Sequence, residues 1–169
     1  MNLEKYQQYS RIARGLEKAD LVLKNARIVN VFTEEIIRGD IAIQDGIIAG
    51  IGSFHGKEER DLAGRYVCPG FIDSHLHLES TLVTPAELVT AASRHGTTTF
   101  IVDPHESANV SGLAGIDYIL DQTEDVKANV YVMMPSCVPA TAIDDNGCTL
   151  TAEDMVPYLH NLSLIHISE

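Results

Sequence analysis

The sequence predicts an α/β protein: a small β-rich unit followed by the opening βα units of a parallel sheet. Three observations carry this. Residues 19–52 alternate apolar and polar side chains and are rich in Val, Leu and Ile, the pattern of half-buried strands. From residue 67 the pattern changes to short apolar runs separated by helical stretches. Those runs end abruptly in polar residues, "FIDSHLHL" and "TTTFIVDPHE" most clearly. Alternating strands and helices build a parallel sheet, because each parallel connection needs a crossover.

Residues 1–18 form an N-terminal helical segment, with a polar helix expected over 4–17. "ADLVLKNARIVNVF" (19–32) reads as strands broken by a turn at Lys24–Asn25. In "IIRGDIAIQDGIIAGIG" (36–52), Asp45–Gly46 sits between apolar runs and marks a hairpin, since a type I′ turn needs positive φ at both central residues. Residues 19–66 are therefore one β-rich domain. Residues 67–161 begin with the strand "VCPGFIDSHLHL" and the helix "TPAELVTAASRHG". Thr84 is the expected N-cap, Pro85 the first helical residue, Glu87 the other half of a capping box and Gly96 the terminator. "TTTFIVDPHE" is the next strand, 111–125 a helix, 129–136 a strand and 151–160 a helix capped by Thr151.

Hydrophobic residues at 45% and charged residues at 21% make a globular balance. A net charge of −12 with no basic patch argues against a nucleic-acid partner. The first residues lack the apolar core of a secretory signal, and no run approaches the roughly 18 apolar residues of a membrane span. Cys68, Cys137 and Cys148 are odd in number and widely spaced, which suits a reducing cytoplasm, and they read as small buried apolar groups. The expectation is a cytoplasmic protein with neither a nucleic-acid nor a membrane partner.

In a parallel sheet the chemistry sits at the C-terminal ends of the strands. His75/His77, Asp103/His105/Glu106 and Ser136/Cys137 all fall there. A histidine pair with one residue between is weak evidence alone, since either could be a solvated loop residue. On a strand, however, residues i and i+2 project from one face, so both rings can converge on one cation about 2 Å from each. Asp73 shares that face as a further ligand or as an acceptor that fixes a tautomer. His55, His95 and His160 carry ordinary surface or helix-end roles.

These stretches resemble the amidohydrolase superfamily. "PGFIDSHLH" is widespread in it, and "HLHLES" followed by "VDPHESAN" points, within it, to the adenine deaminase group. The opening "DLVLKNARIVNVFTEEIIRGDIAIQDGIIAGIG" agrees, so the resemblance covers residues 1 to about 161. It implies a (β/α)₈ barrel beside a small β-sandwich built from both chain ends. It also implies hydrolytic deamination of adenine to hypoxanthine and ammonia by a hydroxide shared between two divalent ions, manganese or iron. By the same resemblance His75 and His77 match metal ligands. Asp103, His105 and Glu106 match a catalytic cluster, as proton relay, substrate contact or support for the ligands. Glu79 and Ser80 line the purine pocket, or serve only as loop residues. A homo-oligomer is expected of the full-length enzyme.

A barrel takes about 250 residues, so 67–161 suffices for about three βα units and the barrel here is incomplete. Further metal ligands are then expected beyond this sequence, and the chain alone is expected to be inactive. The tail "LSLIHISE" (162–169) departs from the family. It matches the translation of CTG TCT CTT ATA CAC ATC TCC GAG, which resembles a transposase adapter; 162–169 therefore reads as non-native and His166 as without function. Two other readings stay open. Another amidohydrolase, dihydroorotase-like or an amino-sugar deacetylase, would share "PGFIDSHLH" but is not expected to carry "VDPHE" here. A short non-catalytic interaction module would instead end at its own stop codon.

Overall fold

The computed structural model describes residues 3–160 and the strand at 164–165, and the chain divides into two units, Met1–Pro69 and Gly70–Glu169. The first opens with α1 (Leu3–Ala13), followed by β1 (Ala19–Asn30), β2 (Glu35–Gln44), β3 (Ile47–Gly52), β4 (Gly56–Asp61) and β5 (Tyr66–Val67). They make one five-stranded sheet in the order β3-β2-β1-β4, with β5 also on β1. β1–β2 and β2–β3 are antiparallel, whereas β4 and β5 run parallel to successive stretches of β1.

Asp45 and Gly46 have φ of 50° and 75°, the two positive values that the hairpin turn requires. The expected turn at Lys24–Asn25 is not there. β1 continues through it, with a register shift between Leu23 and Ala26 and Asn25 at φ 56°. Two residues that favour a turn here make a bulge, because the strand is held by neighbours on both sides. Asp40 locks that bulge. It is 7% exposed and accepts from Lys24 Nζ at 2.5 Å, from the Asn25 amide at 3.1 Å and from the Phe54 amide at 3.3 Å.

Alternation along β1 and β2 sends side chains to two faces. On one, Val22 and Ala42 pack with Ile12 of α1 and with Phe54. The ring of Phe54 lies where a β-carbon on Gly50 would stand, so the small residue is required there. On the other face Ala26, Ile28 and Ile41 form a cluster that borders an open apolar recess of about 350 Å³. Its rim includes Phe32 and Ile48, 95% and 62% exposed.

The second unit contains β6 (Phe71–Leu76), a 3₁₀ turn (Glu79–Thr81), α2 (Pro85–Ser93), β7 (Thr97–Val102), α3 (His105–Ser111), α4 (Leu113–Thr123), β8 (Asn129–Met133), α5 (Ala152–Met155), a 3₁₀ turn (Val156–His160) and β9 (Leu164–Ile165). Its sheet runs β6-β7-β8-β9, all parallel. Val89 of α2 and Ile119 of α4 bury against Phe100, Val102, Val130 and Val132. The alternate residues of β7 face the opposite side of the sheet.

Several expected boundaries move. α2 starts at Pro85, but Thr84 makes no side-chain cap, so the capping box with Glu87 does not form. "DPHE" is not strand: β7 ends at Val102 and His105 opens α3. Gly112, at φ 62°, separates α3 from α4, so the helix expected from 111 starts at Leu113. β8 ends at Met133, three residues short of the expected 136. Thr151 does cap α5, in a capping box with Asp154, but the helix tightens to a 3₁₀ turn at Val156 because Pro157 lacks the amide needed to continue it. Cys68 and Cys137 are exposed and Cys148 half-buried, contrary to the buried role expected of them. Of the tail at 162–169 only Leu164 and Ile165 are described, so His166 lies outside the described residues, as does the side chain of His160.

Two stability predictions follow from these contacts. Burial works against the Asp40 carboxylate, but Lys24 and the two amides outweigh it and hold its pKa below the ordinary value. Its contribution is present above the usual carboxylate range and is lost as pH falls through the lowered value. Asp40→Ala strands Lys24 and costs about 3 kcal/mol at neutral pH, read as a lower urea midpoint, and an unchanged midpoint contradicts this. In the second unit Tyr158 donates to Asp117 Oδ1 at 2.5 Å. Burial and that carboxylate push the phenol up to about 12. Tyr158→Phe should cost roughly 0.5 kcal/mol below the ordinary tyrosine pKa, and the difference should shrink and then reverse in sign as pH rises from there through 12, because only the tyrosine can ionise beside Asp117. A parent that stays the more stable of the two by the same margin in alkaline solution contradicts it.

Candidate metal centre

Two backbone features bring the polar residues together. β6 and β7 pair in parallel, Leu76 opposite Val102, and the ladder extends one bond further as the Asp103 amide donates to the Leu76 carbonyl at 2.9 Å. Register shifts at Phe71/Ile72 and Asp73/Leu76 turn the end of β6, so His75 and His77 meet edge to face with ring centroids 5.0 Å apart. Their Nε2 atoms are 3.1 Å apart. Asp73 does not join them; its carboxylate accepts from the His75 amide at 3.3 Å.

Ligand atoms of His75, His77 and Asp103 all lie within 4.8 Å of one another. A second group, His77, Glu79 and Glu106, meets the same limit and shares His77 with the first. Glu106 Oε2 stands 2.7 Å from His77 Nδ1, close but out of line for a hydrogen bond. Glu79 Oε1 accepts from the Ser107 amide at 3.1 Å, which ties the 3₁₀ turn after β6 to the start of α3. His105 Nδ1 is 3.9 Å from Asp103 Oδ1, at the border of this cluster. Ser80 is exposed; with Glu79, Glu106 and Tyr118 it lines a cleft of about 480 Å³. Ser136 and Cys137 belong to neither group.

The two adjoining carboxyls shift in opposite directions. Burial and the adjoining Glu106 carboxyl raise the Glu79 pKa. Burial works against Glu106 as well, but its own amide, Glu79 and His77 bring its pKa down. Among the described residues, the buried atoms His77 Nδ1, Glu79 Oε2 and Asp103 Oδ1 have no hydrogen-bond partner. Such atoms cost about 1–3 kcal/mol each unless something meets them.

A divalent cation fits this donor set. Two nitrogens about 2.1 Å from one ion, at roughly right angles about it, stand about 3 Å apart, which matches the two Nε2 atoms. Mixed imidazole and carboxylate donors suit manganese, iron or zinc. His75, His77 and Asp103 could hold such an ion. The sequence does not reveal Glu79 beside Glu106, because the contact depends on the 3₁₀ turn after Leu78 and on α3 starting at His105.

Known proteins resemble this chain over most of its length. Residues 66–163 match the Amidohydrolase family. The chain is 55% identical over 169 residues to an adenine deaminase of Desulfitobacterium hafniense, covering 100% of this chain and 30% of that protein. It is 50% identical over 157 residues to an adenine deaminase of Clostridium acetobutylicum, covering 93% and 28%. With an adenine deaminase of Geobacillus kaustophilus the identity is 47% over 152 residues, covering 90% and 26%. The chain thus spans somewhat under a third of the length of these relatives. With its parallel βα units, its histidine pair at a strand end and a match over most of the second unit, the chain belongs to the amidohydrolase family.

Proposed function

We infer that this chain is part of a metal-dependent hydrolase that converts adenine and water to hypoxanthine and ammonia. The observation that carries the reading is the convergence of His75, His77 and Asp103 at the ends of two neighbouring parallel strands. Relatives bearing the name adenine deaminase supply the substrate. The residues that would hold the cation are His75 and His77, with Asp103 beside them; manganese or iron suits these donors. A divalent cation supplies acidified water and charge stabilisation at neutral pH.

The chain's own groups then have proton work to do. Deamination needs one proton delivered to the purine ring and another to the departing amine. Asp103, His105 and Glu106 are the titratable groups gathered at the second strand end, and Glu79 adjoins them. Glu79 and Ser80 border the cleft where a small planar ligand would meet this chain. The remaining barrel strands, the remaining ligands and any homo-oligomeric contact belong to the longer protein. The apolar recess of the first unit is the face on which a second sheet of a sandwich would lie. Exposed Phe71 and Ile72 on the edge strand β6 suit pairing with a further barrel strand.

Two measurements check this. In the full-length protein loaded with manganese, His77→Ala should lower kcat/KM for adenine at least about 100-fold, with loss of bound metal by elemental analysis. Retention of both metal content and activity contradicts the assignment. The 169-residue chain supplied with manganese should release no ammonia from adenine, because two histidines and one carboxylate are too few donors for a binuclear site. Ammonia release above a chelator-treated blank contradicts it.

A further inference from the structure

The two polar groups that share His77 cannot both be cation sites while its ring is neutral. A neutral imidazole has one lone pair and one N–H, on different nitrogens. His77 Nε2 lies 3.1 Å from His75 Nε2, and His77 Nδ1 lies 2.7 Å from Glu106 Oε2. If Nδ1 takes a cation in the Glu79–Glu106 group, Nε2 carries the proton and faces His75. If Nε2 takes a cation with His75 and Asp103, Nδ1 carries the proton and faces a carboxylate. The second arrangement satisfies more of the site. It places an N–H against Glu106 and leaves both Nε2 lone pairs for one ion.

We propose that Glu106 is a positioning residue that holds His77 as its Nδ1–H tautomer, presenting Nε2 to the cation, and that the His77–Glu79–Glu106 group supports the metal centre without binding a cation of its own. This rests on the cation-site reading of His75 and His77 given above. Glu106 comes from α3 and His77 from the residue just after β6, so the contact spans the two strand ends. Glu79, held by the Ser107 amide, lies within 4.8 Å of both Glu106 and His77. Carboxylate partners of metal-bound histidines fix ring orientation and raise ligand basicity, and their loss weakens metal binding roughly 10–100-fold.

The test uses the full-length protein stripped of metal and titrated with Mn²⁺, free ion being followed by electron paramagnetic resonance. Glu106→Ala should weaken Mn²⁺ binding roughly 10–100-fold with the number of ions per chain unchanged. Glu106→Gln should restore affinity to within about threefold of the parent, because the amide oxygen still accepts from Nδ1–H. ¹⁵N-histidine spectra of the metal-free protein should show His77 as the Nδ1–H tautomer in the parent and in Glu106→Gln, but not in Glu106→Ala. Loss of one bound ion in Glu106→Gln would overturn the proposal, since Glu106 would then be a ligand. So would unchanged affinity in Glu106→Ala. Full Mn²⁺ affinity in His75→Ala would instead remove the cation-site reading beneath it, a failure distinguishable from the other two.

Discussion

The site depends on one backbone contact, the parallel pairing of β6 with β7 carried one bond beyond the strands by Asp103 and Leu76. That bond sets two polar strand ends side by side at a fixed register. Without it, His75 and His77 would project from one segment, and Asp103 and Glu106 from another, with nothing to make them meet. The pairing is anchored from the opposite face of the sheet, where Phe100 and Val102 are buried against α2 and α4. Apolar burial therefore holds the register, and the register positions the chemistry.

Above that apolar layer the polar groups oppose one another. Two carboxylates, Glu79 and Glu106, stand close together with His77 beside them, and Asp103 Oδ1 is buried without a donor. A fold accepts such repulsion where burial elsewhere offsets it and where a ligand relieves it. The first unit handles its buried charge differently. Asp40 is met by Lys24 and two amides, so that the bulge in β1 is fully satisfied. The contrast separates a carboxylate met by donors on all sides from carboxylates left facing one another.

Much of this was legible in the sequence. Alternating runs announced the β-rich unit, Asp45–Gly46 its hairpin, and the polar ends of "FIDSHLHL" and "TTTFIVDPHE" the rim where histidines and carboxylates cluster. Local signals failed where tertiary contacts decided the outcome. Lys24–Asn25 has turn chemistry, yet neighbours on both edges keep β1 continuous and convert the turn to a bulge. Thr84 has the spacing of a capping box, but its hydroxyl does not bond the helix. "DPHE" reads as the end of a strand, but β7 stops at Val102 and α3 opens at His105, which brings Glu106 beside His77. The pairing of Glu79 with Glu106 joins residues distant in sequence and had no local signature.

The central claim is that His75 and His77 are two ligands of one divalent cation at the mouth of a parallel sheet. It is tested most directly by anomalous diffraction at the manganese edge from crystals of the full-length protein grown with Mn²⁺. The account predicts a strong peak within coordination distance of both Nε2 atoms, with Asp103 at its edge and none between Glu79 and Glu106. A manganese peak elsewhere, with the two Nε2 atoms joined only by a hydrogen bond, would contradict it.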